Sequence, residues 1–584
     1  MKFNLKLFYA VAFLISLFGV LVFLADFGFV QTERSQYLLN GFYFIVLIVG
    51  IVSTVSRYLE NKNQYENKGK VLFFDIVTVV FSFVIILIHF LEVDSEKNAS
   101  LFYNDLWIKF AIILTFIREF AELKLSFKRN ILNPAQLFIL SFLFIIFLGT
   151  LLLMLPKATY NGISFINALF TSTSAVCVTG LIVEDTGTYF TLFGQSIILV
   201  LIQLGGLGIL TFTSYFSYFF KGGSTYENQL TLSDMNSSQK LGEVFSTLKH
   251  ILLITFYIET FSAISIYLSL NDLLFKSHGE QIYFSVFHSI SAFCNAGFST
   301  LTNSLFETGF KHNYYLQLVI IITFVVGGLG FPIVVNILNY LKYKVSLLIN
   351  FSRLKQTYKP WVLNLNSRIT LITTLTLSLV GFIIFYVLEY NNTLAEHNGF
   401  GKIVTALFGA TTPRTAGFNT VDMTTLAFPT LMMILLLMWV GASPSSTGGG
   451  IKTSTFAIAT LNILSLAKGK SRIEVYRREI ADISVRRAFA IISLSLIVIG
   501  MGVMLISFFD NEKGLMNIAF ECFSAYSTVG LSLGITGSLS MVSKFILIGI
   551  MIVGRVGMLS IVIAIFNKVK HKNYRYPTEE ITIN

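Results

Sequence analysis

Four short stretches of the sequence end an apolar, Ser/Thr-containing segment with a glycine, and their residues are the ones best suited to chemistry. In the first stretch, Val178 and Thr179 lead to Gly180. Glycine adopts backbone angles that other residues disfavour, so such a stretch can turn its carbonyl oxygens inward. A ring of backbone carbonyls can replace the water around a dehydrated cation. We therefore predict a selectivity filter formed by Val178, Thr179, Gly180, Leu181, Asn295, Ala296, Gly297, Phe298, Thr415, Ala416, Gly417, Phe418, Thr528, Val529, Gly530 and Leu531.

The four glycines recur at nearly constant spacing. Gly180, Gly297, Gly417 and Gly530 are separated by 117, 120 and 113 residues. Near-equal spacing over this length indicates four copies of one structural unit. An alternative is that these glycines only let helices pack closely, which is common in membranes. Four copies that each follow a short apolar segment favour the filter.

The composition is that of a membrane protein with many spans. Of the 584 residues, 54% are hydrophobic and 12% are charged, whereas soluble domains carry about 25% charged residues. The net charge of +11 does not indicate nucleic-acid binding, because the basic residues lie in loops between apolar runs. Three cysteines in a chain of this length do not make a disulfide framework.

In each copy the sequence predicts a long apolar helix, then a shorter apolar segment, the glycine stretch and a second long helix. The short segments, near 163–177, 281–294, 401–413 and 513–527, cannot cross about 30 Å of hydrocarbon, so we predict re-entrant pore helices. The predicted second helices are 192–220, 314–341, 426–466 and 542–568, with the third one broken. The predicted fold is an all-α polytopic membrane protein with four pseudo-fourfold helix–pore-helix–helix repeats around a central ion pore.

Apolar runs near 5–28, 37–58, 71–93 and 101–123 predict an N-terminal extension of four transmembrane helices. The predicted domains are 1–130 for this extension, then 131–246, 247–366 and 367–484 for copies one to three, and 485–584 for copy four with a short cytoplasmic tail. A voltage sensor is an alternative role for the extension. Its last helix, however, carries only Lys109 and Arg118 rather than a row of charges.

Basic residues orient the chain. By the positive-inside rule the loops that carry them are cytoplasmic, as are both termini, so the short segments enter from outside. Glu184, Asp185 and Asp422 follow the filter stretches, and we expect them at the outer mouth, where they would concentrate cations. Ordinary solvated loops are the alternative. The basic residues are Lys2, Lys6, Lys342, Lys344, Arg353, Lys355, Lys359, Lys468, Lys470, Arg472, Arg477, Arg478, Arg486, Arg487, Lys568, Lys570, Lys572 and Arg575.

Four further side chains lie within or beside the short segments. Cys177 and Cys294 stand three residues before their glycines, and we expect them to be small buried packing residues. His288 and Glu521 are ionisable, and we expect the protein scaffold to satisfy them. A functional role is the alternative, because buried ionisable groups in membranes often have one.

The second helix of copy three contains a polar break that we predict to be a gate. Proline and glycine both interrupt helical hydrogen bonding, and a polar, irregular stretch at membrane depth is expected to line a cavity. The residues of this predicted gate are Ser443, Pro444, Ser445, Ser446, Thr447, Gly448, Gly449, Gly450 and Lys452.

Arg555 completes the predicted gate. When the second helices are aligned on their filter glycines, Arg555 takes the position that Gly206, Gly328 and Ala442 hold in the other copies. Small residues at this position let the helices approach one another below the filter. A fixed positive charge on the axis is a barrier to cations. The alternative is that Arg555 pairs with an acid or a carbonyl away from the path.

These residues in combination resemble the Trk/Ktr/HKT superfamily of potassium transporters. The resemblance rests on 171–181, the three other glycine stretches, the loop 443–453 and Arg555, and it covers about 131–568. It implies potassium uptake through a pore with an intramembrane gating loop and a gating arginine, in the inner or plasma membrane. Glycine at all four filter positions is similar to the potassium-selective members. Ala442 and Ser445 depart from the pattern, since the family's loop often has glycine there.

The resemblance also implies partners. Family members usually form homodimers and bind a cytosolic ring of nucleotide-binding regulatory subunits, TrkA-like or KtrA-like. About 16 residues follow copy four, so we expect the regulatory subunit to be a separate protein. The implied transported ion is K⁺, with Na⁺ as a coupling or modulating ion. Membrane lipids are expected around the chain, and no nucleic acid.

Two other functions compete with a pore. A sodium- or proton-coupled cation carrier of the alternating-access type would bind its substrate at the unwound segments. A membrane-embedded enzyme would need a metal-binding His-Glu-x-x-His, paired aspartates or a nucleophile elbow, and the sequence has none of these in its core. We therefore expect no enzymatic activity.

Overall fold

The computed structural model describes residues 5–60, 69–92, 105–121, 134–208, 244–270, 274–349 and 362–565, and these are mostly helical. The N-terminal extension contains α1 (Leu5–Gly28), α2 (Glu33–Glu60), α3 (Gly69–Glu92) and α4 (Asp105–Ala121), where the apolar runs predict helices. Several of the basic residues used to orient the chain lie outside the described residues, namely Lys2, Arg353, Lys355, Lys359, Lys568, Lys570, Lys572 and Arg575.

Each copy contributes a long first helix, a short helix and a second helix, which is interrupted in copies two, three and four. The first helices are α5 (Pro134–Leu153), α8 (Val244–Ser269), α12 (Leu365–Glu389) and α16 (Asp482–Phe509). The short helices are α6 (Phe165–Val176), α9 (His278–Phe293), α13 (Gly399–Thr411) and α17 (Leu515–Ser527). The second helices are α7 (Leu192–Leu207), α10 (Tyr314–Leu329) with α11 (Phe331–Ile349), α14 (Phe428–Trp439) with α15 (Thr453–Ala467), and α18 (Met541–Val556) with α19 (Met558–Ile565).

Side-chain caps start the short helices at fixed places. The side chains of Ser164, Ser277 and Asn398 accept hydrogen bonds from the backbone N–H groups three residues later, in copies one to three. Such caps satisfy donors that a helix start leaves free. Copy four starts instead at Gly514, which has a φ of +83° and no side-chain cap.

The packing of the helices is cyclic. Each second helix packs against the short helix of the next copy, as α7 does with α9, α10 with α13, and α14 with α17. The last second helix, α18, packs against the first short helix, α6. The short helices therefore lie at the centre, and most of their Ser, Thr and Phe side chains are buried.

The second helices of copies two and four are interrupted, as that of copy three is, which corrects the prediction of continuous helices over 314–341 and 542–568. In copy one α7 ends at Leu207, and residues 209–220 of the predicted helix lie outside the described residues. Gly208, Gly330 and Gly557 take φ values of +78°, +85° and +85° at these points. The helix predicted over 314–341 ends at Leu329 and resumes at Phe331 with a bend of 107°. A positive φ cannot continue a right-handed helix, so α7, α10 and α18 end at these three glycines.

Five of the described helices are long and apolar enough to cross a membrane, and a sixth span results if the bent pair α10–α11 counts as one. The five are within α1, α2, α8, α12 and α16. The short helices are apolar but of only 12 to 16 residues. Three of the four first helices, α8, α12 and α16, are thus long enough to span, whereas the short helices are not.

Buried ion pairs hold the N-terminal extension together. Arg57 of α2 lies 2.6 Å from Glu119 of α4, and Lys109 of α4 lies 2.9 Å from Asp26 of α1. Arg118, also on α4, pairs with Asp75 of α3 at 3.3 Å. All four helices of the extension therefore share in ion pairs to α4.

Candidate functional site

The four predicted filter stretches share one backbone conformation. Each filter glycine has a positive φ, between +69° and +92°, and so has the residue two positions before it, between +50° and +70°. The residue between them does not. Alternation of left- and right-handed backbone lets successive carbonyls face the same side. The residues with positive φ are Val178, Gly180, Asn295, Gly297, Thr415, Gly417, Thr528 and Gly530.

The filter glycines abut one another. A Cβ added to Gly180 would overlap the carbonyl oxygen of Ala296, and a Cβ added to Gly297 would lie 2.9 Å from the Cα of Gly417. The glycines of copies three and four abut copies four and one in the same way. The four stretches thus meet in chain order around a closed ring, and a side chain at any of these glycines has no room.

Hydroxyl groups of the short helices anchor the stretches from behind. The N–H groups of Gly180 and Gly530 donate to the hydroxyls of Ser174 and Ser524, both at 3.1 Å. Each of these serines stands six residues before its glycine. The equivalent Ser291 of copy two instead donates to the carbonyl of Phe298 at 2.7 Å.

Sequence reasoning missed these anchors, although the signal was present. In copy three the hydroxyl of Thr412 donates to the carbonyl of Phe418 at 2.6 Å. A Ser or Thr therefore recurs five or six residues before every filter glycine. Because many hydroxyls in membrane helices bond only to their own helix, the recurrence and not the residue type is the informative feature.

The predicted gate loop lies directly against three of the four stretches. The hydroxyl of Thr447 donates to the carbonyl of Phe293 at 3.3 Å and lies 3.2 Å from the amide of Asn295 in copy two. The N–H of Gly449 donates to the hydroxyl of Thr528 in copy four at 2.9 Å.

Copy three's own stretch completes these contacts. Gly448 faces Thr415 so closely that a Cβ on it would overlap the Thr415 hydroxyl. Lys452 donates to the carbonyl of Gly448 at 2.6 Å, which ties the ends of the loop together. The segment 447–449 is therefore packed under copies two, three and four.

The first half of the loop rests on the break in the second helix of copy two. The N–H of Ser443 donates to the carbonyl of Gly328 at 3.0 Å, and the carbonyl of Ser445 accepts from the N–H of Phe331 at 3.3 Å. Pro444 lies between these two contacts, and the hydroxyl of Ser446, which follows them, donates to the Ser443 carbonyl at 2.6 Å. Ser445 has a φ of +56°, a conformation that favours the glycine common in the resembled family.

Arg555 connects the loop to the remaining copy. Its guanidinium donates to the carbonyl oxygens of Thr447, in the loop, and Gly205, in the second helix of copy one. Gly554 beside it packs on the carbonyl of Tyr526 so closely that no Cβ would fit. Loop and arginine together thus contact all four copies on one side of the ring. The guanidinium pairs with carbonyls, as the alternative interpretation expected, but one of them, that of Thr447, belongs to the predicted gate.

The acidic residues expected at the outer mouth are engaged locally. Asp185 accepts hydrogen bonds from the N–H and hydroxyl of Thr188 at 2.7 and 2.8 Å, and Asp422 does the same with Thr424 at 2.9 and 2.7 Å. Glu184 accepts from the amide of Asn167 at 2.7 Å. All three carboxylates are half-buried: Asp185 and Asp422 stabilise their own turns, and Glu184 connects its loop to α6.

The cysteines are buried and unpaired. Cys177, Cys294 and Cys522 are all free thiols with at most 1% exposure. Cys294 packs against the second helix of copy one, where a Cβ on Gly206 would come 2.6 Å from its Sγ. The packing role expected for Cys177 and Cys294 agrees with this burial.

Comparison with known proteins identifies the family. The model of the TrkH family, described as a cation transport protein, matches residues 99–575. The Ktr system potassium uptake protein B of Bacillus subtilis is 34% identical over 77% of this chain and 96% of its own length. The potassium/sodium uptake protein NtpJ of Enterococcus hirae is 33% identical over 78% of this chain and 98% of its own.

A solved structure has the same fold. The potassium transporter TrkH from Vibrio parahaemolyticus superposes with a TM-score of 0.59, covering 90% of this chain and 98% of that one, at 16% identity. Relatives with these names are ion transporters and not enzymes. The chain therefore belongs to the TrkH/KtrB family of cation transport proteins.

Proposed function

We propose that this protein takes up potassium across the cell membrane through a channel-like pore. The B. subtilis relative is named a potassium uptake protein, and the E. hirae relative a potassium/sodium uptake protein. K⁺ is the transported ion of this proposal, with Na⁺ as a coupling or modulating ion. Membership of a cation transport family supports transport as the activity.

The pore of this proposal is formed by four repeats, 131–246, 247–366, 367–484 and 485–584, with 1–130 as a separate extension. Two observations support it. Each second helix packs against the short helix of the next copy, and the four filter glycines abut in the same cyclic order. The closed ring of glycines is the observation that carries the proposal, because a narrow ring of backbone is what a dehydrated cation requires.

The ring would select ions through its backbone carbonyls. The stretches Val178–Leu181, 295–298, 415–418 and 528–531 alternate in φ sign, and hydroxyls on the short helices hold them from behind. Such anchoring fixes the carbonyls before an ion arrives, so less free energy is lost in ordering them. Glu184, Asp185 and Asp422 are the proposed outer-mouth residues and would raise the local cation concentration.

The gate of this proposal is the loop 443–452 together with Arg555. Its contacts with all four copies support a closed arrangement in which the loop and the guanidinium lie across the path below the filter. Opening would require the two guanidinium bonds to break and Thr447 to leave Asn295. The positive charge of Arg555 adds an electrostatic barrier to a cation.

The setting of the pore follows from the family. We propose a multi-pass protein of the inner, or plasma, membrane with both termini cytoplasmic. Relatives named as components of a Ktr system indicate that more than one protein takes part. We propose a homodimer and a separate cytosolic nucleotide-binding subunit, TrkA-like or KtrA-like, as the partners.

Replacing Gly180 with serine tests the filter. At a φ of +88° and against the carbonyl of Ala296, a side chain must displace the ring, so we expect the ratio of K⁺ to Na⁺ transport to fall by about tenfold or more. The matched control is Gly162→Ser, because Gly162 also has a positive φ, +74°, but meets nothing within 4 Å. An unchanged flux ratio in Gly180→Ser, measured in an uptake-deficient bacterium, would overturn the filter.

A coupled carrier is the second candidate. The breaks in the second helices of copies two, three and four are of the kind that alternating-access carriers use for binding, and the name of the E. hirae relative includes sodium. Currents through single proteins in a planar bilayer distinguish the two functions. Resolved unitary currents exclude the carrier, whereas potassium transport that stops without a sodium or proton gradient supports it.

A further inference from the structure

His288 and Glu521 occupy equivalent positions that neither the filter nor the gate explains. Each lies on a short helix nine residues before its filter glycine, Gly297 or Gly530. Both side chains are fully buried, with at most 1% exposure. An ionisable group this deep in a membrane protein is costly and calls for a specific partner.

The partner of His288 is a serine just past the filter. Its Nδ1 lies 2.9 Å from the carbonyl of Phe284, and since a carbonyl only accepts, Nδ1 carries the proton. Nε2 is then a bare acceptor 2.9 Å from the hydroxyl of Ser299. The Ser299 oxygen in turn accepts from the N–H of Leu301 at 3.0 Å. The hydroxyl proton therefore points to His288.

Glu521 makes the same connection in copy four. Its carboxylate accepts from the hydroxyl of Ser532, whose oxygen accepts from the N–H of Gly534 at 2.9 Å. The hydroxyl of Thr536 donates to the second carboxylate oxygen at 3.0 Å. Ser299 and Ser532 both stand two residues after their filter glycine, and their N–H donors two residues further on. In both copies a backbone N–H donates to the serine oxygen, and the serine hydroxyl donates to the buried ionisable side chain.

Copies one and three lack this connection. The positions nine residues before their glycines hold Thr171 and Phe408, and those two residues after hold Ile182 and Asn419. The hydroxyl of Thr171 has no hydrogen-bond partner among the described residues. Because the copies follow one another around the ring, the two connected copies, two and four, lie diagonally opposite.

We propose that His288 and Glu521 are positioning residues that hold the outer end of the filter across one diagonal. Each provides an acceptor behind the filter for the serine hydroxyl that follows the glycine, and this fixes the backbone turn where the ring opens to the outside. The ring of His288 also lies 6.2 Å from that of Phe418 in copy three, so it supports a neighbouring stretch as well. Discrimination against Na⁺ at the outer end of the ring would depend on these two bonds.

This inference rests on the proposed filter, and the test separates the two. We would measure the ratio of K⁺ to Na⁺ transport, which does not depend on how much protein reaches the membrane. Ser299→Ala and Ser532→Ala each remove one hydroxyl, and we expect each to lower the ratio about fivefold, in line with the loss of one buried hydrogen bond. Glu521→Gln replaces one accepting oxygen with a donor, and we expect a comparable fall.

Conservative and control variants complete the design. Ser299→Thr and Ser532→Thr keep the hydroxyl, so we expect the ratio to return towards that of the unaltered protein. Thr171→Val, at the equivalent position of copy one, should leave it unchanged. If Gly180→Ser alters the ratio but both serine-to-alanine variants do not, the positioning role is wrong and the filter stands. If none of these variants alters it, the filter itself fails. An equal fall in Thr171→Val would also overturn the diagonal role.

Discussion

Arg555 joins two parts of the chain that are 350 and 108 residues away in sequence, the carbonyls of Gly205 and Thr447. Hydrogen bonds from a charged donor are worth more than neutral ones, about 1.5–3 kcal/mol each. In the proposed gate, two such bonds from one guanidinium would favour the closed arrangement of the loop. The charge and the bonds would then both oppose conduction through the proposed pore.

Arg555→Ala should raise potassium uptake by at least about tenfold, because a tenfold change corresponds to about 1.4 kcal/mol, less than either charged bond contributes. The reason is that both carbonyl bonds and the positive charge disappear together. Arg555→Lys separates these effects, since it keeps the charge but not the planar donor pair, and we expect an intermediate uptake. A lower uptake in Arg555→Ala, from protein that is expressed and folded, would contradict the barrier role. The measurement is the rate of potassium uptake by a bacterial strain that lacks its own potassium-uptake systems.

The residues of the candidate site differ in how visible they are from sequence. The filter glycines and Arg555 are identifiable because they recur, or break a recurrence, at fixed offsets. Ser299 and Ser532 are not identifiable from sequence. A serine two residues after a glycine is common, and only the structure shows that His288 or Glu521 accepts its hydrogen bond. The contact of Thr447 with Asn295 spans 152 residues, and no local pattern encodes such a pairing.

At the level of helices, the apolar runs predict where helices lie but not where they turn. Gly208, Gly330 and Gly557 sit inside apolar runs, where an isolated glycine is usually tolerated in a helix. Their positive φ values depend on what packs at the break. For Gly330 that is the backbone of Pro444 and Ser445. The break in copy two and the loop of copy three therefore determine each other's shape.

Gly330→Ala should lower the stability of the folded protein by about 1–2 kcal/mol. Alanine is disfavoured at a φ of +85°, and its Cβ would lie 2.5 Å from the carbonyl oxygen of Pro444. Gly549→Ala is the control, because Gly549 lies within α18 with nothing within 4 Å; there alanine should stabilise the helix by about 0.5–1 kcal/mol. Thermal unfolding in detergent measures both. Equal changes in the unfolding temperature of the two variants would show that the positive φ at Gly330 is not required for stability.

The start of α10 in copy two and the segment before α13 in copy three meet through a cluster of polar rings. The hydroxyl of Tyr314 lies 3.3 Å from Nδ1 of His397, and the ring of His312 is 5.2 Å from that of His397. Lys311 and Glu396 form an ion pair beside them. Burial, followed by the nearby charges of His312 and Lys311, lowers the pKa of His397 from 6.5 to about 4.

This depressed pKa predicts a pH dependence of stability. Between about pH 6.5 and 4 the unfolded chain binds a proton at His397 that the folded protein does not, so stability should fall as the pH drops through this range. His397→Gln should make the stability less dependent on pH. His278→Gln, at an exposed histidine, should leave the pH dependence unchanged. Thermal unfolding at several pH values checks this. A wild-type slope that persists in His397→Gln would refute the assignment.

At the scale of the whole molecule, α1 of the extension contacts copy one through apolar side chains. The rings of Phe27 in α1 and Phe193 in α7 are 5.6 Å apart, and a Cβ on Gly28 would come 2.7 Å from the side chain of Leu155. The composition predicts four helices here but not their ion pairs, because a charge on an apolar helix has no visible partner in sequence. Both cations of α4 are paired within the bundle, which favours a structural extension over a voltage sensor.

Glu119→Ala tests that view of the extension. Removing this carboxylate leaves Arg57 without its ion-pair partner in a buried site, and breaking a buried pair costs about 3–5 kcal/mol. Glu396→Ala is the control, because Glu396 is 67% exposed beside Lys311 and an exposed pair contributes about 0–1 kcal/mol. Thermal unfolding in detergent should show a large shift for the first variant and a small one for the second.

Transport measurements on the same Glu119→Ala protein decide what the extension does. If the bundle is structural, the Glu119→Ala protein that reaches the membrane should conduct with an unchanged dependence on voltage. The reason is that, in the described part of the chain, the hydrogen bonds that anchor the filter stretches and those of Arg555 involve no residue of α1–α4. A voltage sensor predicts the opposite, since releasing Arg57 and weakening the restraint on Arg118, 3.9 Å from Glu119, would alter the movement of α4 in the membrane field. A shifted current–voltage relation in Glu119→Ala, absent in Glu396→Ala, would therefore assign the extension to gating.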